Sequence, residues 1–142
     1  MNRHFLNYQI IDHTADLGMV VQGVDVKRLF IDAAHAMLDL MVKGDMSEKR
    51  AKREISIAGD DFADLMVRWL GEILYLFYAE HLLTTGVVIK SISPTRLRAE
   101  LHFARFRKAH HQVVREIKAV TYHQILVEEK DDGWKARVIF DI

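Results

Sequence analysis

The sequence contains no cysteine and a single proline, Pro94. Without thiols there are no disulfides, no thiolate metal sites and no cysteine nucleophile. No stretch rich in Gly, Ser or Pro forms a linker, and no repeat or low-complexity tract divides the chain. Neither sign of charge dominates, with 20 Lys plus Arg against 20 Asp plus Glu. That balance leaves no global electrostatic footprint for gripping nucleic acid or an acidic membrane surface. No apolar run approaches the roughly 18 residues of a spanning helix. Residues 1–16 read as neither signal peptide nor membrane span. A cytoplasmic protein that does not engage membranes is therefore expected. Also missing are a helical His-Glu-x-x-His zinc motif, a glycine-rich phosphate loop and a nucleophile elbow. The eight histidines fall at no zinc spacing.

Half of the 142 residues are apolar, enough for a sizeable core in one domain spanning residues 1–142. Tyr8 to Asp12 reads as a short strand, followed by a polar break at His13-Thr14-Ala15-Asp16 and a second strand over Met19 to Gln22. Asp25 is suited to cap a helix whose apolar stripe is Val26, Leu29, Phe30, Ala33, Ala34, Met37, Leu38 and Met41, closed by Gly44. Arg53 to Ala58 alternates as a half-buried strand does. Asp60 or Asp61 can cap a second helix, apolar from Phe62 to Phe77. From Val87 the period changes to two. Strands are expected over Val87–Ser93 and Arg96–Phe106, around a turn at Ser93-Pro94. A hairpin follows from Glu116–Glu128 and Trp134–Asp141, turning at Asp131-Asp132-Gly133. The pattern predicts an α+β fold, two amphipathic helices packed against an antiparallel or mixed β-sheet. Trp69 and Trp134 occupy apolar positions and read as core.

Three polar groups interrupt these patterns. Asp12-His13-Thr14-Ala15-Asp16 places two carboxylates and an imidazole at a sheet end; an Asx or ST turn joining two strands accounts for the same residues. Lys118-Ala119-Val120-Thr121-Tyr122-His123 reads as strand, with Ala119, Thr121 and His123 on one face, and a snorkelling lysine explains Lys118 equally well. The third group is Asp141-Ile142. A terminal α-carboxylate beside the Asp141 side chain sets two like charges together, which a cation or proton must offset. With Asp12 they make an all-oxygen set suited to calcium, magnesium or manganese; an ordinary exposed terminus is the alternative. The run Arg96, Arg98, Arg105, Arg107, Lys108 reads as a solvated face or a docking edge for an acidic partner.

Taken in order, these segments resemble one family, archease, from about Tyr8 to Ile142. The residues carrying the likeness are Asp12-His13-Thr14-Ala15-Asp16 with Gly18, Gly23-x-Asp25-x-x-x-Leu29-Phe30, Glu116 to His123, and Asp141-Ile142. The resemblance implies an accessory protein, not an enzyme. Such a protein stimulates the GTP-dependent RtcB-type RNA ligase of tRNA splicing, promotes its guanylylation and turnover, and meets RNA only through that ligase. It also implies a divalent metal held by Asp12, Asp141 and Ile142, with calcium the expected occupant and manganese or magnesium alternatives. Lys118, Asp16 and His13 are further candidates. Where family members often carry a Gly-Glu pair and an acidic loop, this chain has the basic segment Arg105 to Lys108. Two other classes compete: a metal-dependent phosphoester hydrolase using Asp12, Asp16, His13 and His123, and a general chaperone or RNA-binding module.

Overall fold

The computed structural model describes residues 6–12 and 16–142, apart from the Asp12 side chain. Its elements begin with β1 (Tyr8–Asp12), β2 (Asp16–Gly23), α1 (Val26–Met41), β3 (Val42–Gly44), β4 (Ala51–Ala58) and α2 (Phe62–Glu80). They continue with β5 (Leu82–Ser93), β6 (Arg96–Arg105), β7 (His111–Val113), β8 (Ala119–Val120), β9 (Leu126–Lys130) and β10 (Gly133–Asp141). The fold is α+β, with every strand pair antiparallel. One sheet runs β1-β2-β10-β8, with β9 also on β10; a second runs β4-β6-β5; β3 and β7 form a small third.

Both helices start where a carboxylate can accept an orphan amide. Asp25 accepts from the Arg28 amide at 2.7 Å, and Asp61, not Asp60, caps α2 by accepting from the Asp64 amide at 2.8 Å. α2 runs one turn beyond the expected Phe77 and stops at His81, whose φ of 58° is left-handed. α1 contacts β2 and β10 on one side and β5 on the other, and α2 likewise touches both large sheets. The helices thus lie between the sheets. This explains why α1 buries residues nearly all round and not only along one stripe: Asp32, Ala36 and Leu40 join the expected positions. Trp69 is fully buried in the core and its indole N–H donates to the Phe30 carbonyl at 2.9 Å, tying α2 to α1. Trp134 is half-buried, edge-on to Phe62 at 5.3 Å.

The main departures concern short strands and breaks. β2 begins at Asp16, β4 at Ala51 and β5 at Leu82, each earlier than the apolar pattern suggests. β5 absorbs two irregularities, between Thr84 and Gly86 and between Ile89 and Ser91, that blur its alternation. β3 and β7 escape sequence reading because three residues carry no period. His111 locks them: it is buried, its Nδ1 accepts from the Arg107 amide at 3.1 Å and its Nε2 lies 2.7 Å from the Asp45 carbonyl. The expected strand from Glu116 to Glu128 is broken in two. Gln124 adopts a φ of 52°, and the Ile125 amide bonds the Tyr122 carbonyl at 3.2 Å, which closes a turn. The hairpin turn at Asp131-Asp132-Gly133 is present. Gly133 has a φ of 146°, and a Cβ there would lie 2.5 Å from the Gly23 carbonyl, so only glycine fits.

β1 is the outer strand of its sheet and is pinned to α1 by the Tyr8 hydroxyl, which donates to Asp39. Burial and then the Asp39 carboxylate push the Tyr8 pKa up to about 12. Because the folded value exceeds the ordinary Tyr value of about 10, the contact stabilises below that pH and is lost as pH rises through about 12. In a titration followed by phenolate absorbance, one tyrosine is expected to ionise near 12. Tyr8→Phe is expected to remove that component; its survival would place the late titration elsewhere.

Candidate metal end of the sheet

Strand register brings two of the sequence motifs to one end of a sheet. Asp12 ends β1 opposite Leu17, and Phe140 faces Leu17 from the other side. One rung further, Asp141 lies directly opposite Asp16. Asp12 and Asp141 are therefore on strands separated by β2, about 10 Å apart across the sheet at roughly 4.8 Å per strand. Asp16, a lesser candidate by its sequence, is the direct neighbour of Asp141. The side chain of Asp12 and the whole of His13 lie outside the described residues. Among the described residues no three His, Asp or Glu side chains are grouped to hold an ion.

Asp141 is exposed, and its main chain is fixed. β8 pairs with it, Ala119 opposite Asp141 and Val120 opposite Phe140. The Lys118 amide donates to the Asp141 carbonyl at 2.7 Å. Order therefore extends to the penultimate residue, and Ile142 follows, exposed. No lysine or arginine among the described residues pairs with Asp16 or Asp141. Two carboxylates on one rung without a cation repel across the strands. Two carboxylates opposed in this way, with no lysine or arginine paired to them among the described residues, fit a hard divalent ion.

Lys118 contributes its backbone to this end, and its side chain is exposed. The expected strand face of Ala119, Thr121 and His123 does not form, because the strand is only Ala119–Val120. Thr121 instead turns back. Both its amide, at 3.1 Å, and its hydroxyl, at 2.8 Å, donate to the Ile139 carbonyl, while the His123 amide donates to the Thr121 hydroxyl at 3.3 Å. Tyr122 is exposed and its hydroxyl donates to Asp64 Oδ1 at 2.6 Å. That bond, chiefly, holds the Asp64 carboxyl below the usual carboxylate range and the Tyr122 hydroxyl above the usual tyrosine range. The depressed Asp64 value means its stabilisation is present above the ordinary aspartate pKa and is lost as pH falls through the lowered one. Asp64 carried no signal in the sequence; only Asp60 and Asp61 stood out there, as caps.

The basic run separates in space. Arg96 and Arg98 lie on β6, and Arg98 is 3.8 Å from Glu54, whereas Arg107 and Lys108 lie in the turn before β7. An open groove of about 550 Å³ lined by Gln22, Val24, Asp132 and Trp134 sits at the opposite end of β10 from Asp141. No helix among the described residues is long and apolar enough to cross a membrane.

Comparison with known proteins matches the model of the Archease protein family (MTH1598/TM1083) to residues 8–142. The chain is 34% identical over 139 residues to a protein archease of Archaeoglobus fulgidus, covering 96% of this chain and 100% of that one. It is 32% identical over 139 residues to the protein archease of Methanosarcina acetivorans, covering 95% of each. The solution structure of Methanobacterium thermoautotrophicum protein 1598 superimposes with a TM-score of 0.80 at 28% identity, over 97% of this chain and 100% of that one. A Thermotoga maritima crystal structure, described as an archease and possible chaperone, gives a TM-score of 0.65 at 22% identity, over 99% of this chain and 100% of that one; it shares the fold.

Proposed function

The chain belongs to the archease family, and from that premise we propose that it activates an RtcB-type RNA ligase of tRNA splicing, without being an enzyme itself. In this reading Asp12, Asp141 and the α-carboxylate of Ile142 hold a divalent ion, calcium, manganese or magnesium, with Asp16 beside them. The observation that supports it most is the rung pairing Asp16 with Asp141, neither of which pairs with a lysine or arginine among the described residues. The ion, when bound, supplies positive charge next to an exposed edge that a partner can read. The residues of this chain do the rest. β2 and β8 hold Asp141 from both sides, and the Lys118 amide fixes its carbonyl. A rigid, charged end can prefer one ligase conformation over another, and only such differential binding shifts an equilibrium. Guanylylation and repeated turnover of the ligase are the steps to be promoted. RNA is met through the ligase, as the balanced charge of the chain suits. A cysteine-free chain is at home in the reducing cytoplasm, where we place the activity.

The test follows the ligase–GMP adduct formed by the cognate ligase with GTP and manganese, with and without this protein. Acceleration by the wild type, lost in a folded Asp12→Ala variant, is expected. Unchanged adduct formation with wild-type protein would sink the activator reading. Manganese-dependent cleavage of a generic phosphoester by this protein alone, abolished by Asp12→Ala, would replace it with a hydrolase.

A further inference from the structure

We propose that Asp64 is a positioning residue for the metal end: by accepting the Tyr122 hydroxyl it latches the Lys118–Thr121 segment onto β10 and so fixes Asp141. The proposal rests on the reading of Asp141 as a metal ligand.

β8 has only two residues, too few to hold its place by pairing alone. Yet it is the neighbour of the end of β10 on that side, and Lys118 and Thr121 bracket it with bonds to the Asp141 and Ile139 carbonyls. What keeps the segment there are its two ends. On the N-terminal side Ile117 is fully buried in the core. On the C-terminal side the chain turns away at Tyr122, and burial does not hold it, since Tyr122 is 55% exposed. Its side chain instead spans to the first turn of α2. There Asp64 is itself immobilised: Oδ2 accepts from the Asp60 amide at 2.8 Å, and Arg68 Nε lies 3.1 and 3.0 Å from the two oxygens. Asp64 thus ties a rigid helix start to a loop whose other hold just before Tyr122 is the pair of Thr121 bonds to the Ile139 carbonyl. The depressed Asp64 pKa and raised Tyr122 pKa agree with an ionised acceptor and a protonated donor through the neutral range. A hydroxyl bonded to a charged acceptor is among the stronger hydrogen bonds. Supports of this kind, one step removed from a metal ligand, commonly carry about 10- to 100-fold in metal affinity.

Tyr122→Phe deletes the bond and little else. Arg53→Gln, which breaks the exposed pair with Glu80 at the other end of α2 and touches neither Tyr122 nor Asp64, serves as a control. Two readouts apply to the full chain: manganese affinity by calorimetry, and hydrogen exchange at the Lys118 and Thr121 amides. Tyr122→Phe is expected to weaken manganese binding roughly 10-fold with little change in Tm. It is also expected to speed exchange at those two amides while α2 exchanges as before. Asp64→Ala is expected to reproduce both effects, and Arg53→Gln neither. Unchanged affinity and exchange in Tyr122→Phe would overturn the proposal. If wild-type protein binds no manganese, the metal reading fails on its own; exchange then decides the latch, faster in Tyr122→Phe if it exists and unchanged if it does not.

Discussion

Asp141→Ala is expected to abolish acceleration of ligase guanylylation and to weaken divalent-ion binding by roughly 100-fold or more, since even outer supports of a metal ligand carry about 10- to 100-fold. The fold is expected to survive. Asp141 is exposed, and the interactions that place it run through its backbone and through Phe140, which is fully buried. Substitutions at such surface positions usually stay within about 0.5 kcal/mol. Appending a few residues after Ile142 turns its α-carboxylate into an amide and tests the second ligand without touching a side chain. Asp16→Ala gives the sharper contrast. Without metal it removes a like charge directly across the rung, so stability is expected to rise slightly, by about 0.2–1 kcal/mol. With metal it is expected to fall behind wild type. Thermal melts with and without manganese read both signs; an Asp16→Ala protein that behaves identically to wild type in both would remove Asp16 from the site, and full activity of Asp141→Ala would remove the site altogether.

Trp69→Ala is expected to have the largest effect on stability. The side chain is fully buried between the helices, and its N–H is bonded to the Phe30 carbonyl. Truncation opens a large cavity and leaves that carbonyl without its donor. Phe or Trp to Ala in a core costs about 3–5 kcal/mol, against a total of about 5–15 kcal/mol for a domain. At roughly 4 °C per kcal/mol for this size, a fall in Tm of about 12–20 °C is expected. Trp69→Phe, which keeps most of the volume, is expected to lose less than half as much. A drop of only a few degrees in Trp69→Ala would mean that the two helices are held mainly by the sheets on either side.

The two helices and the final hairpin turn were readable because each repeats a period or a turn chemistry over enough residues. Asp25 and Asp61 announce helix starts by their side chains. β3, β7 and β8 were not readable, because two or three residues have no period and their pairing is set by distant partners. The Lys118–His123 motif looked like strand by composition; Thr121 and Gln124 bend it through local hydrogen bonds and a positive φ. The site shows the same division. The chemistry of the sequence suggested one oxygen set from Asp12, Asp141 and Ile142, with Asp16 only a neighbour of Asp12. That Asp16 shares a rung with Asp141 depends on register between strands far apart in sequence. The Tyr122–Asp64 bond depends on how α2 lies beside β8 and has no counterpart in local spacing.

The position of β10 also orders events in time. It lies between β2 and β8 in its sheet, and every other strand of that sheet precedes it in the chain. During synthesis, β1 and β2 can pair as soon as they emerge, but the other edge of β2 stays open until residues 133–141 have been made. An open edge is a template for wrong pairing, so the nascent protein is vulnerable to association until β10 has been made. The same order means that Asp16 and Asp141 cannot come together until β10 has been made. A chain that stops before residue 133 therefore carries Asp12 and Asp16 without the strand that opposes Asp16 with Asp141.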